Sequence, residues 1–259
     1  MKIDKKEEAF DKRLAEMGIR IKDADTLKVS ENVFDEVTLL ALYKLVHKKW
    51  ITAIGGSIST GKEANVFLGE REEASVAIKI YRIQSANFTT MSSYIQGDRR
   101  FSNVKKSKKD LIFAWTKKEF SNLVRAKEAG IPVPEPLVWD RNILIMSFLG
   151  EDECPYPQIR NVEIEDTAST YEAVLAMIDT LYKKAELVHG DLSEFNILYH
   201  DKPYLIDMGQ SVTRDHPRAL QFLMRDIRNV NRFFKKRGCT VKSEYEIFSA
   251  VTGLAVSQP

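Results

Sequence analysis

His189-Gly-Asp-Leu-Ser-Glu-Phe-Asn196 is followed closely by Leu205-Ile-Asp-Met-Gly-Gln210. Asp191 and Asn196 stand in a polar loop leading into a strand-like run, and Asp207 closes the next such run. A carboxylate so placed can orient a hydroxyl or water and accept its proton. An amide oxygen and a second carboxylate are hard ligands suited to magnesium carried on phosphates. Polar loops that merely cap their neighbours use the same residue types singly; the whole set in this order is far more specific.

A second group lies upstream. In Val76-Ala77-Ile78-Lys79, strand alternation puts Val76, Ile78 and Ile80 on one face and Ala77 and Lys79 on the other. A lysine beside a small alanine suits a nucleotide, with room for a ring and an ammonium for phosphate. Trp115, Glu119 and Leu123 share one face of a helix. Glu119 therefore sits in an apolar stripe, where an unpaired carboxylate is costly. Lys79 is a candidate partner; Lys117 and Lys118 are alternatives. Ser57-Ile-Ser-Thr-Gly-Lys-Glu-Ala-Asn-Val-Phe67 offers small residues between two strands, where backbone N–H groups can meet phosphate. Gly56 to Lys62 spells most of a Walker A loop, but Glu63 replaces its Ser or Thr, and a strand follows instead of a helix. On its own this loop reads more readily as an ordinary β-turn.

The elements that must position these residues follow from periodicity. Leu39, Leu42, Leu45 and Val46 stripe a helix over 35–48. Short apolar runs at 65–68 and 75–81 predict hairpin strands. The 84–110 stretch holds Arg99, Arg100, Lys105, Lys106, Lys108 and Lys109 and reads as a mobile basic insertion. A helix is predicted over 110–129, ending at Gly130, with a strand over 142–146. Ser169 and Glu172 form a capping-box pattern ahead of Val174, Ile178, Leu181 and Ala185. Strands are predicted at 196–199 and 204–206, and a last long helix over 217–236.

Together the motifs resemble the protein-kinase signature of glycine loop, V-A-I-K lysine, helix glutamate, H-R-D-x-x-x-x-N and D-F-G. The departures are specific. Gly61 alone remains of three loop glycines, with Ser59 and Ala64 in the other places; Gly190 stands for the H-R-D arginine; D-F-G is Asp207-Met208-Gly209; no A-P-E follows. S-T-G-K-E-A-N-V-F, H-G-D-L-S-E-F-N and I-D-M-G-Q are similar to the RIO family of atypical kinases. The first and last of these motifs resemble its Rio-one branch, and the chain a compact archaeal form of it. The resemblance implies an α+β, bilobal, protein-kinase-like fold. A small antiparallel sheet lobe would join a helical lobe, with extra N-terminal helices and no activation loop or peptide-binding helices. Residues 1–48 would be a helical extension packed on the kinase domain, 49–146 the N-lobe, 147–150 the hinge and 151–259 the C-lobe.

It further implies roles. Asp191 would be the catalytic aspartate. Asn196 and Asp207 would hold magnesium, or manganese in its place. Lys79, positioned by Glu119, would contact the phosphates of ATP. Ser59, Thr60, Gly61, Lys62 and Glu63 would cover them. Met146, Ser147, Phe148 and Leu149 would meet the adenine, with Val66, Ala77 and Ile206 lining the nucleotide. RIO proteins are linked to maturation of the small ribosomal subunit. They phosphorylate serine in test proteins and can act as ATPases that phosphorylate themselves, in places on the D-x-G aspartate.

Composition narrows the classes. Of 259 residues, 44% are hydrophobic and 29% charged, as in a globular protein. No apolar run approaches the ~20 residues that span a bilayer. The N-terminus does not read as a signal peptide, and two cysteines make neither a disulfide framework nor a zinc site. A cytoplasmic setting without membrane partners is expected. Two uses of ATP stay open: transfer to Ser or Thr, with Ser102 and Ser107 as candidate self-targets, or an ATP-driven switch binding pre-ribosomal RNA or protein. The second draws on the basic 99–109 segment and on Arg218, Arg225, Arg228, Arg232, Lys235 and Lys236 of the last helix. Asp226 and Glu194 are expected to pair with some of these arginines.

Overall fold

Alternating apolar residues in three successive runs make a meander whose middle strand is buried on both faces. The computed structural model describes residues 20–21, 35–83, 88–101, 104 and 107–255. β1 (Arg20–Ile21) precedes α1 (Glu36–His47), and β2 (Ala53–Thr60), β3 (Ala64–Arg71) and β4 (Ala74–Tyr81) follow. α2 (Phe88–Ile95) and α3 (Lys108–Glu128) come next. β5 (Pro136–Asp140) and β6 (Ile143–Ser147) complete a six-stranded sheet of order β1-β2-β3-β4-β6-β5. It is antiparallel except for β1, which pairs parallel to β2. β7 (Gly150–Glu151) and β8 (Cys154–Pro155) form a small separate pair.

The chain divides into two compact units. The first takes Met1–Thr89, Val104–Phe120 and Pro136–Pro155, and the second takes the rest. In the first, one sheet face carries Phe67, Val76, Ile78, Ile80, Ile143 and Ile145, packed with Leu39, Ala41, Leu42 and Leu45 of α1. Burying each such leucine contributes roughly 1.5–3 kcal/mol, which is what holds α1 to the sheet. Asp35 caps α1, its side chain accepting the Thr38 N–H at 2.9 Å. The helix foreseen at 35–48 therefore forms; most of residues 1–34, for which helices were expected, lies outside the described residues.

The second unit contains α4 (Thr167–Lys183), β9 (Leu187–Val188), β10 (Ile197–Tyr199), β11 (Pro203–Leu205), β12 (Val212–Thr213), α5 (Ala219–Lys236) and α6 (Glu244–Thr252). Its two antiparallel pairs, β10–β11 and β9–β12, flank the loops that hold the polar motifs. α5 already begins at Ala219, so no long segment separates it from Asp207.

Three expectations are corrected. Where described, the basic 84–110 segment is not an unpacked insertion: Met91, Tyr94 and Ile95 of α2 are buried, as is Phe101, because these apolar residues fall on one side of a helix and turn. Ser102, Lys105 and Lys106 lie outside the described residues. The cap of α4 is Asp166, which accepts the Ser169 N–H at 2.9 Å, so Ser169 is inside the first turn. α6 follows the helix that was read as the last. Asp166→Ala is expected to cost about 1 kcal/mol in urea unfolding, and Ser169→Ala less than about 0.5 kcal/mol.

Candidate functional site

Strand register assembles one half of the predicted set. β3 and β6 flank β4, pairing Val66 and Leu144 with Lys79, and Leu68 and Met146 with Ala77. Side chains two apart share a sheet face. Val66, Ala77, Lys79 and Met146 therefore line one face, opposite to the one covered by α1. Lys79 is 8% exposed, and its Nζ donates to Glu119 Oε1 at 2.7 Å. Glu119 is 1% exposed and also accepts the hydroxyl of Tyr81, a partner the sequence reading did not identify. The Lys79–Glu119 pairing is thus the one formed. A buried pair this close is a positional device: attraction roughly offsets desolvation, but removal of one partner strands a charge.

The β2–β3 turn holds Ser59 and Thr60 at the end of β2 and Gly61, Lys62 and Glu63 beyond it. Ser59 to Lys62 are exposed and Glu63 half-buried. The Gly61 N–H bonds Ala64 O at 2.9 Å, and a Cβ at Gly61 would lie 3.0 Å from that oxygen. The turn is therefore tight at the one glycine retained. Ser147 ends β6, and Phe148 and Leu149 follow it before β7.

The second unit assembles the other half. Pairing of Ile197 with Leu205 sets Asn196 beside Ile206, whose N–H donates to Asn196 O at 3.0 Å. Asp207 comes next. It is exposed and adopts a left-handed conformation, φ 60° and ψ 60°, before a tight turn over Met208–Gln210. Non-glycine residues held there are uncommon and cluster at functional sites. Pairing of Val188 with Val212 sets His189 beside Ser211 across β9–β12. The two small ladders thereby bring 189–196 and 206–211 together. Asn196 Nδ2 donates to Asp191 O at 2.8 Å, and Gln210 Nε2 donates to Asp191 Oδ2 at 3.1 Å.

Electrostatics distinguish the groups. Burial, then the charge of Asp207, pushes the Asp191 carboxyl above its ordinary value, while Arg225 and Asn196 oppose this. Burial pushes His189 down to about 4, so its ring is neutral. His189 Nε2 lies 3.1 Å from Ile206 O, and a carbonyl only accepts, which places the proton on Nε2. His189 thus braces the loop. Asp226 is 1% exposed and accepts the N–H groups of Gly190 at 2.7 Å and Leu192 at 2.9 Å. Burial raises it to about 7 against these bonds and Arg225. Asp226 is therefore a backbone anchor; the expected carboxylate–arginine pairing is replaced because two orphan N–H groups face it. Asn122, fully buried on α3, donates to Met208 O at 2.8 Å and Ser211 O at 2.9 Å. Gln210, Asp226 and Asn122 were not predicted. Their long separations from the groups they bond leave no sequence signal, save that Gln210 stands inside the I-D-M-G-Q motif.

Among the described residues, no group of three or more His, Cys, Asp and Glu could hold a metal alone. Asp207 and the Asn196 amide oxygen are the groups that would hold a magnesium bringing phosphate and water ligands with it. Asp191 is raised first by burial and then by the charge of Asp207, and the second contribution is one a divalent cation would relieve.

A family model described as the RIO domain matches residues 65–247. The chain belongs to the RIO family. It is 45% identical over 246 residues to the RIO-type serine/threonine-protein kinase Rio1 of Haloferax volcanii, covering 94% of this chain and 84% of that protein. The corresponding Rio1 of Methanocaldococcus jannaschii is 40% identical, with 86% and 77% covered. Human serine/threonine-protein kinase RIO1 is also 40% identical, over 92% of this chain, but the chain spans only 43% of that longer protein. Among solved structures, the Rio2 kinase–ADP/Mg2+–phosphoaspartate complex from Chaetomium thermophilum matches with a TM-score of 0.70. The two are 26% identical, over 96% of this chain and 75% of that one. The α+β, kinase-like fold implied by the motifs is thus the observed one.

In this RIO chain the glycine of His189-Gly-Asp191 has a structural reason. Gly190 has φ +79°, and a Cβ there would lie 2.9 Å from Gln210 O. An arginine at 190 would be strained and would push the Asp207 turn away. Helix α5, expected to present a basic face, has several heads already engaged. Arg225 bonds Gly190 O, Arg228 meets Glu244 at 2.7 Å, and Arg232 meets Asn229 at 2.9 Å.

Glu119→Gln is expected to cost about 3–5 kcal/mol by stranding Lys79, and the double Lys79→Met/Glu119→Leu replacement less; urea unfolding of the full chain reads both. Asp226→Asn keeps one acceptor and turns an amide N–H towards another donor. A loss of about 1–3 kcal/mol is expected in the same assay.

Proposed function

We propose that the chain catalyses ATP- and magnesium-dependent phosphoryl transfer to serine or threonine, on itself or a partner, with ATP hydrolysis as the accompanying reaction. The observation that carries this reading is the Asp191 carboxyl. It is fixed by Asn196 and Gln210, raised above its ordinary value by burial and by Asp207, and held in a loop hung from Asp226. A base so tuned accepts a hydroxyl proton more readily at neutral pH than an ordinary aspartate. When bound, magnesium-ATP supplies the transferable phosphoryl group and the cation that neutralises its charge. Asp207 and Asn196 hold the cation. Lys79, kept in place by Glu119, serves the phosphates, and Ser59 to Glu63 cover them. Val66, Ala77, Met146 and Ile206, with the backbone of 147–149, serve the adenosine.

The link to small ribosomal subunit maturation, and with it a cytoplasmic setting, rests on family resemblance. No helix among the described residues is long and apolar enough to cross a membrane. A second use of the ATP site, as a switch on a precursor RNA or protein, is favoured by one feature. A cavity of about 600 Å³ is lined by Arg228, Arg232, Lys235, Lys236 and Lys242, with Glu244 as its one acidic residue. RNA held there would be lost steeply as salt rises.

The test follows γ-labelled ATP with magnesium and the purified chain, reading free phosphate and protein-bound label together. Asp191→Asn is expected to lower transfer by about 10²–10⁴-fold while nucleotide still binds. Unchanged transfer would remove Asp191 as the base. Hydroxylamine-resistant label supports ester transfer to Ser or Thr. Hydroxylamine-labile label with multiple-turnover phosphate release supports the switch.

A further inference from the structure

Away from the residues discussed above, the second unit contains a cavity of about 360 Å³ lined mainly by arginine. Arg99, Arg100, Arg125 and Arg214 face it, with Glu186 and Asp215 as the acidic residues. With Asp98, which pairs with Arg100, four guanidinium groups stand against three carboxylates, a formal excess of one positive charge.

The acids are already engaged at the rim. Arg214 Nη2 meets Glu186 at 2.6 Å, and Arg99 Nε meets Asp215 at 3.3 Å, all four side chains being well exposed. Such exposed pairs hold their members weakly. Arg100 is fixed more firmly, through Asp98 at 2.6 Å and Asn122 Oδ1 at 2.9 Å. Two groups are left over. Nη1 of Arg100 and Nη1 of Arg125 are both shut away from water without a hydrogen-bond partner, and among the described residues the Arg125 guanidinium forms no ion pair. Leaving charged N–H groups buried and unsatisfied is costly. The two residues come from separate parts of the chain and both line the cavity.

Guanidinium forks match the oxygens of a tetrahedral oxyanion. The net positive charge of the cavity favours an anion such as a phosphate group, which carries about −1.5 to −2 at neutral pH. We propose that this cavity is a binding site for a phosphate dianion, either free inorganic phosphate or the phosphate of a phosphoserine side chain. The inference rests on the arginine cavity and is independent of the reading of the nucleotide residues. Through Arg100 and Asn122, the site is hydrogen-bonded to the turn that follows Asp207.

The test titrates the full chain with inorganic phosphate, and separately with a short phosphoserine peptide, at constant ionic strength set by chloride. A non-hydrolysable ATP analogue and magnesium are held saturating. Binding of the analogue is read separately, so failure of the nucleotide reading shows independently. The thermal unfolding midpoint is expected to rise and saturate. Arg125→Gln should weaken the apparent affinity by about tenfold or more. Arg125→Lys, which keeps the charge and the fold but loses the fork, should fall between. Saturation by inorganic phosphate at lower concentration than by the peptide identifies the free anion. The reverse order identifies the phosphorylated side chain. A response to neither probe, or one that is the same in the wild type and both variants, overturns the site.

Discussion

A carboxylate removed from water must be solvated by the protein, and in the second unit Asp226 is solvated by backbone. Its two oxygens take the N–H groups of Gly190 and Leu192, on either side of Asp191. The loop carrying the proposed base is thereby tied to a long helix, whose own packing rests on Phe222, Leu223, Ile227 and Val230. Nothing in the loop is regular secondary structure, so its conformation is held by such side-chain bonds, those of Asp226 together with those of His189, Asn196, Gln210, Arg225 and Asn229. The desolvation that raises Asp226 to about 7 is the cost of this arrangement. The two N–H bonds offset part of it.

The first unit solves its positioning problem by register. Once β3, β4 and β6 are paired, Val66, Ala77, Lys79 and Met146 have no choice but to share a face. A shift of one residue would move Lys79 into the apolar layer under α1. The Glu119 pair adds a polar penalty to the same error, since a slipped strand would leave that buried carboxylate without its cation. Apolar packing and the ion pair therefore select one register for separate reasons.

Much of this was legible in the sequence. The elements that hold Lys79, Glu119, Asp191, Asn196 and Asp207 follow from short-range periodicity, and Glu119 declared its need for a cation by standing between Trp115 and Leu123. What could not be read are contacts joining residues far apart in the chain. Asp226 looked like an arginine partner because Arg225 is its neighbour, whereas its true partners are backbone groups more than thirty residues earlier. Local signals also misled. The capping-box spacing at Ser169–Glu172 lies one turn inside a helix that Asp166 begins. The same spacing at Ser243–Glu246 does open a helix, although Ser243 makes no cap bond. The apolar residues of 88–101 were masked by the arginines around them.

The parallel pairing of β1 on β2 has a meaning beyond architecture. A sheet ends wherever a strand has no neighbour, and an open row of N–H and C=O groups is a template for another molecule's backbone. At the far side, β5 blunts that edge by starting with Pro136 and by a register shift between Pro136 and Val138. At the near side, Arg20 and Ile21 shield the start of β2 opposite Ala53 and Ile54. β1 thus covers only the first two residues of the β2 edge, and losing it would lay those backbone groups open to another chain as well.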